Sequence, residues 1–237
     1  HALFIKEKLD REDILYLLIC ALFGIVINML CFFEGLNITT PINASLIMIT
    51  TPLIVYLLSL FFNKEQYHFR RLIGVILGLF GAVLLITEGN FNFRLNNLGD
   101  LLVFFNAISY GIYLILIKSM MQKYHPITVL KNLFLLGLVI LIPVGGGDIF
   151  NIDFLSMPLE IILKTLFVIL FTTCGAYFLN IYAISKVRAS TVAFYIYLQP
   201  LLATILAVMI GKDILTEIKL VSAFFIFIGV YFVIKRT

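Results

Sequence analysis

Stretches free of Asp, Glu, Lys and Arg recur eight times along the chain, at 14–33, 35–63, 72–87, 101–117, 132–147, 165–185, 189–211 and 220–234. Runs within them, such as Leu133–Val144 and Leu201–Ile210, are apolar on every side rather than along one stripe. A helix that crosses a bilayer needs roughly 17–25 mostly apolar residues. The shorter windows reach that length once their flanks are added. The pattern therefore predicts an all-α, multi-pass membrane protein with eight visible spans: Ile14–Phe33, Ile42–Phe62, Leu72–Thr87, Gly99–Lys118, Val129–Val144, Ile161–Ile184, Ser190–Ile210 and Lys219–Ile234. Transmembrane β-strands of about 9–11 residues would alternate apolar and polar positions, and these runs do not. The loops are short, the longest being Gly145–Glu160.

Composition agrees. The 237 residues are 62% hydrophobic and 13% charged, with a mean hydropathy of +1.11. Soluble domains carry about a quarter charged residues, and disordered chains combine low hydrophobicity with high charge, so both classes are excluded. The net charge of +4 comes from loop residues and does not point to nucleic acid. Cys20, Cys31 and Cys174 fall inside spans at no metal or redox spacing, so no disulfide is expected. Residues 1–13 are charged, begin with His and leave no room for a signal peptide. They read as an internal loop of a longer protein.

Basic residues orient the spans. With residues 1–13 cytoplasmic, that side holds Lys6, Lys8, Arg11, Lys64, Arg70, Arg71, Lys118, Lys123, Lys131, Lys186, Arg188, Lys235 and Arg236. The far side holds only Arg94, Lys164, Lys212 and Lys219. Both visible ends are then cytoplasmic.

The chain also repeats itself. A shift of 148 residues lays Pro52 on Pro200, Leu53 on Leu201, Lys64 on Lys212, Glu65 on Asp213, Leu72 on Leu220 and Gly81 on Gly229, without gaps. Spans one to three then match spans six to eight. Spans four and five have partners only if two further spans precede residue 1. Each full repeat would hold five spans. An odd number inverts one repeat relative to the other, a recurring transporter plan with the substrate where the halves meet.

Phe32–Glu65 followed by Arg70–Ile86 resembles the EamA domain of the drug/metabolite transporter superfamily. The resemblance rests on Gly35-Leu36, Asn43-Ala44-Ser45, Pro52, Glu65, and Gly74, Gly78 and Gly81. A weaker second copy shows Ala183, Ala189-Ser190, Pro200, Asp213 and Gly229. The resemblance implies a ten-helix fold of two inverted five-helix repeats. Residues 1–87 would be the last three helices of the first repeat, and 98–237 the complete second one. It also implies a secondary transporter, in the exporting direction, of a small metabolite such as an amino acid or a drug-like compound, in a bacterial inner membrane.

Polar side chains inside spans are costly and tend to face a bundle interior. Asn106, Tyr110 and Tyr113 recur at helical spacing on span four, Tyr177 and Asn180 on span six, and Tyr195 and Gln199 on span seven. Asn28 stands alone on span one and Thr51 lies beside Pro52 on span two. These are the candidate substrate-path residues, or else interhelical hydrogen bonds. Glu34 has long uncharged stretches on both sides, and if buried it would exchange a proton during transport. The other reading is a solvated carboxylate at the membrane edge. Pro52 and Pro200 remove a backbone N–H inside a helix and are the candidate kinks. Gly74 and Gly78, with Ala82 one turn on, make a small-residue stripe for helix contact or a homodimer face. Lys118 is expected to extend to the interface.

No nucleotide, metal, catalytic or cofactor motif is present in the sequence. The sequence leaves two alternatives to a transporter, an inactive fragment of one and a membrane sensor or enzyme.

Overall fold

A computed structural model describes residues 7–62, 64–91, 98–149, 157–212 and 214–234. Asp213, and the basic residues Lys6, Arg94, Lys235 and Arg236, lie outside the described residues. The described chain is helical, with eight helices long and apolar enough to cross a membrane. They are α1 (Arg11–Ile38), α2 (Pro41–Phe61), α3 (Phe69–Thr87), α4 (Leu98–Lys123), α5 (Pro126–Gly145), α6 (Leu159–Lys186), α7 (Ala189–Met209) and α8 (Glu217–Ile234). All eight expected spans are present. Several helices outrun the charge-free windows, because such a window marks the hydrocarbon zone while the helix continues into the polar boundary. The first turn of α1, for example, takes in Glu12 and Asp13, which favour a helix start electrostatically.

The helix bounds repeat. α6, α7 and α8 begin 148 residues after α1, α2 and α3, and the ends of α6 and α7 keep the same shift. Irregularities repeat with them. A π-helical segment interrupts α1 at Leu22–Ile27 and α6 at Val168–Gly175, so the two end in register. α2 breaks at Ile49–Thr50, and α7 tightens to a 3-10 turn at Tyr195–Tyr197. Pro52 and Pro200 follow these breaks. Pro52 sits in the first turn of the new segment, where the missing N–H costs nothing because first-turn amides have no helical partner. The Thr50 amide bonds Ile47 O at 2.9 Å, and Leu53 and Ile54 both donate to Thr50 O.

Contacts divide the chain into two compact units. The first comprises His1–Ile27 and Leu116–Val187. Here α5 packs on the start of α1, where an added methyl at Gly137 would come within 2.9 Å of Ile25. Asp13, 7% exposed, accepts from Lys123 Nζ and the Tyr124 hydroxyl, both at 2.8 Å. Lys118 Nζ donates to the carbonyls of Ile184 at 2.5 Å and Val187 at 2.8 Å. It therefore caps the last turn of α6. α6 itself is buried only at Ile181 and Ile184.

The second unit comprises Asn28–Ile115 and Arg188–Thr237. Its centre is the antiparallel pair α3–α8. A methyl at Gly74 would lie 2.8 Å from Gly229 O, and one at Gly81 would lie 2.8 Å from Ser222 O. The 148-residue shift carries Gly74 to Ser222 and Gly81 to Gly229, so one contact becomes the other. A methyl at Gly229 would meet Gly78 N at 2.8 Å, and its counterpart, Gly81, would meet Ile226 N at 3.0 Å. The pair thus meets about a local two-fold. Tyr197 and Phe194 of α7 lie over Gly78, with their rings edge-on at 4.8 Å. The glycine stripe read from the sequence is thus a helix contact within the chain.

Candidate functional site

The second unit contains a cavity of about 520 Å³, lined by residues of α1, α2, α3 and α7, including Phe32, Ser45, Met48, Ile196 and Gln199. Its size falls within the roughly 300–1,000 Å³ of small-molecule sites. The broken stretches of α2 and α7 both reach it, through Met48 and Ile49 on one side and Ile196 and Pro200 on the other.

Among the described residues, the cavity wall is apolar apart from Ser45, Gln199 and Thr204, and none of those lining it is charged. Ser45 Oγ donates to Pro41 O at 2.8 Å and Thr204 Oγ1 to Pro200 O at 2.9 Å, so both hydroxyl protons are used within their own helices. Gln199 is exposed. In a regular helix the amide at 52 would occupy the carbonyl of Met48, and the amide at 200 that of Ile196. Proline supplies neither. Both of these residues line the cavity, and the 148-residue shift relates them.

Each end of the second unit holds one buried cation at matching positions. Arg71, the third residue of α3, is 4% exposed, and Lys219, the third residue of α8, is 3% exposed. Arg71 pairs with Glu65 at 3.2 Å. Glu65 also accepts from Ser190 Oγ at 2.8 Å and Ser190 N at 3.3 Å. Its carboxylate thereby ties the α2–α3 loop to the start of α7, where negative charge is favoured. Lys219 pairs with Glu88 at 3.0 Å, and Glu88 takes a left-handed conformation at φ 49° at the end of α3. Asp100 of α4, 6% exposed, accepts from the hydroxyl of Thr39 and from Asn43 Nδ2 at 3.4 Å beside the start of α2.

Of the residues singled out in the sequence, Gln199 and Pro200 line the cavity. Asn28 and Asn106 bond each other's backbones, Nδ2 of Asn106 to Asn28 O at 2.7 Å and Nδ2 of Asn28 to Asn106 O at 3.4 Å. The Asn106 Oδ1 is buried with no hydrogen-bond partner among the described residues. The rings of Tyr110 and Tyr113 lie 6.0 Å apart, and Tyr113 is fully buried. Thr51 and Pro52 are buried. Tyr195 is 48% exposed and Glu34 is exposed. In the first unit, Tyr177 donates to Gly24 O at 2.6 Å, a carbonyl of the π-helical segment of α1, and Asn180 is half-buried.

Sequence reasoning missed most of the cavity wall, because Phe32, Leu36, Met48 and Ile196 are apolar residues in an apolar background. A signal was available for two of them, since Met48 and Ile196 stand four residues before the aligned prolines. Asp100 was also missed, because it lies in a polar boundary where charges are common.

Eight apolar helices, three of which recur in register, and a cavity of small-molecule size between broken helices define the class as an integral membrane protein. More specifically, residues 1–87 and 97–235 match the EamA-like transporter family, and the chain belongs to that family. It is 30% identical over 95% of its length to an uncharacterized transporter of Methanothermobacter thermautotrophicus, and 24% identical over 95% to the uncharacterized transporter YyaM of Bacillus subtilis. The chain spans 66% and 75% of those two proteins' own lengths. A crystal structure superposes with a TM-score of 0.75 at 17% identity, over 96% of this chain and 77% of that one, a likeness of fold alone.

Proposed function

We propose that the protein is a secondary-active carrier that exports a small metabolite or drug-like compound by alternating access. The observation that carries this reading is the cavity bounded by α2 and α7 at their shared break. Helices interrupted near the bilayer midplane, in segments related by inversion, are where carriers of this kind hold cargo. Gln199 is the polar contact, and Pro52 and Pro200 keep the breaks open.

In this reading residues 1–87 are the last three helices of one five-helix repeat and 98–237 form a second. The exchange of Gly74–Gly229 for Ser222–Gly81 supports the pairing. The excess of basic residues on one set of loops supports placing both visible ends in the cytoplasm, in a bacterial inner membrane. Glu34, the sequence's candidate for proton coupling on condition of burial, is exposed on α1, and the proposal routes no proton through it.

The test is metabolite profiling of the medium from cells expressing the whole encoded protein, a Gln199→Leu variant at matched levels, or neither. A compound exported by the first and not by the second names the cargo and supports the site. Equal export by both removes Gln199 from the path. No difference among the three sinks the export reading.

A further inference from the structure

We infer that the cavity selects uncharged molecules with an apolar body and a hydrogen-bond-donating polar end, such as primary amides, alcohols or phenols, and rejects organic acids, zwitterions and ammonium compounds. The inference rests on the reading of this cavity as the cargo site. It narrows the cargo class.

The first argument is charge. Among the described residues the wall contains no Asp, Glu, Lys, Arg or His. An ion moved from water into such a wall loses hydration and gains no counter-charge, the costliest form of burial. The buried ionised groups of the second unit are also engaged elsewhere. Glu65 is occupied by Arg71 and Ser190, Lys219 by Glu88, and Asp100 by Thr39 and Asn43. Glu34 is exposed, but it is not among the lining residues. Its neighbours two positions away on either side, Phe32 and Leu36, are. Two residues along a helix is a rotation of about 200°, which turns the Glu34 side chain away from the cavity.

The second argument is the sign of the hydrogen-bonding groups. The protons of Ser45 and Thr204 are spent on Pro41 O and Pro200 O, which leaves their oxygens as acceptors. The Ile196 carbonyl already accepts from the Leu198 amide, so the count rests on side chains. Among the side chains of the described wall, acceptors therefore outnumber donors, and the Gln199 amide is the one that offers both. A ligand that donates is matched, and one that only accepts finds a single donor group.

Matched probes test this: 4-phenylbutanamide, 4-phenylbutanoate and 4-phenylbutylammonium share an apolar body and differ in the charge of the polar end. Binding to the full protein in lipid nanodiscs is measured by titration calorimetry, with empty nanodiscs subtracted to remove partition into lipid. The amide is expected to bind at least about tenfold more tightly than either ion, and Gln199→Leu to weaken it by about tenfold. Retention of the wild-type thermal midpoint by Gln199→Leu shows that its fold is intact. Equal or tighter binding of either ion overturns the inference, as does unchanged amide binding in Gln199→Leu. Failure of all three probes to bind, as when a lipid chain fills the cavity, also overturns it. The transport reading fails separately. A charged exported cargo would overturn only this inference, whereas amide binding without any exported compound would overturn only the export reading.

Discussion

α2 and α7 have the same length, break at the same register and carry proline at corresponding positions, yet the residues just before those prolines have opposite surroundings. Thr51 is fully buried, and its hydroxyl has no partner among the described residues. Gln199 is exposed on the wall of the cavity. Nearby, Ile49 corresponds to Tyr197, whose hydroxyl is likewise buried without a partner among the described residues. The repeated backbone sets where a helix opens, and the side chains on one copy decide what the opening meets. Selectivity can then change on α7 without disturbing the shared break.

The comparison depends first on the α3–α8 pair that carries the local two-fold. Gly229→Leu forces side-chain atoms into the backbone of α3 at Gly74 and Gly78. It should cost about 3 kcal/mol or more, read as loss of the monodisperse peak in detergent gel filtration. A well-folded Gly229→Leu protein would remove the two-fold contact as the basis of the comparison.

Next come the carboxylates that pair with the two matching cations. Glu65→Gln leaves Arg71 charged and buried without compensation, and should lower stability by about 3 kcal/mol. Glu88→Gln affects a partner that is 62% exposed, and should cost at most about 1 kcal/mol. Thermal unfolding of the two variants in detergent ranks them, and equal shifts would show that the two ends are anchored alike.

The smallest stability effect separates Thr51 from Gln199. Thr51→Val removes a buried, unpaired hydroxyl at nearly constant volume, and should stabilise by about 1 kcal/mol with export unchanged. Gln199→Leu should leave the thermal midpoint close to wild type and abolish export. If Thr51→Val lost export instead, the functional roles of the two helices would be reversed.

Much of this was legible without coordinates. Charge-free windows located all eight spans, because a bilayer interior excludes ionised side chains. Aligned Pro52 and Pro200 marked both breaks, because proline lacks an amide. Gly74 and Gly78 marked a close helix contact, because only the smallest residues let backbones meet. The candidate site was less legible. Of the polar residues read as lining a path, Asn28 and Asn106 donate Nδ2, and Tyr177 its hydroxyl, to backbone carbonyls. In an apolar span a polar side chain that bonds a neighbouring helix and one that meets a ligand have the same sequence signature.

The sequence by itself determined the membrane class, the number of visible spans, the 148-residue repeat and the aligned prolines that follow the breaks of α2 and α7. These follow from composition and covalent chemistry, which act locally. Only the tertiary structure decided that Gly74 and Gly81 face Gly229 and Ser222, that Glu65 reaches across to Ser190, and that Met48 and Ile196 share one cavity with Gln199. Each depends on which faces of distant helices meet, and in an apolar chain nearly every face is chemically eligible to do so.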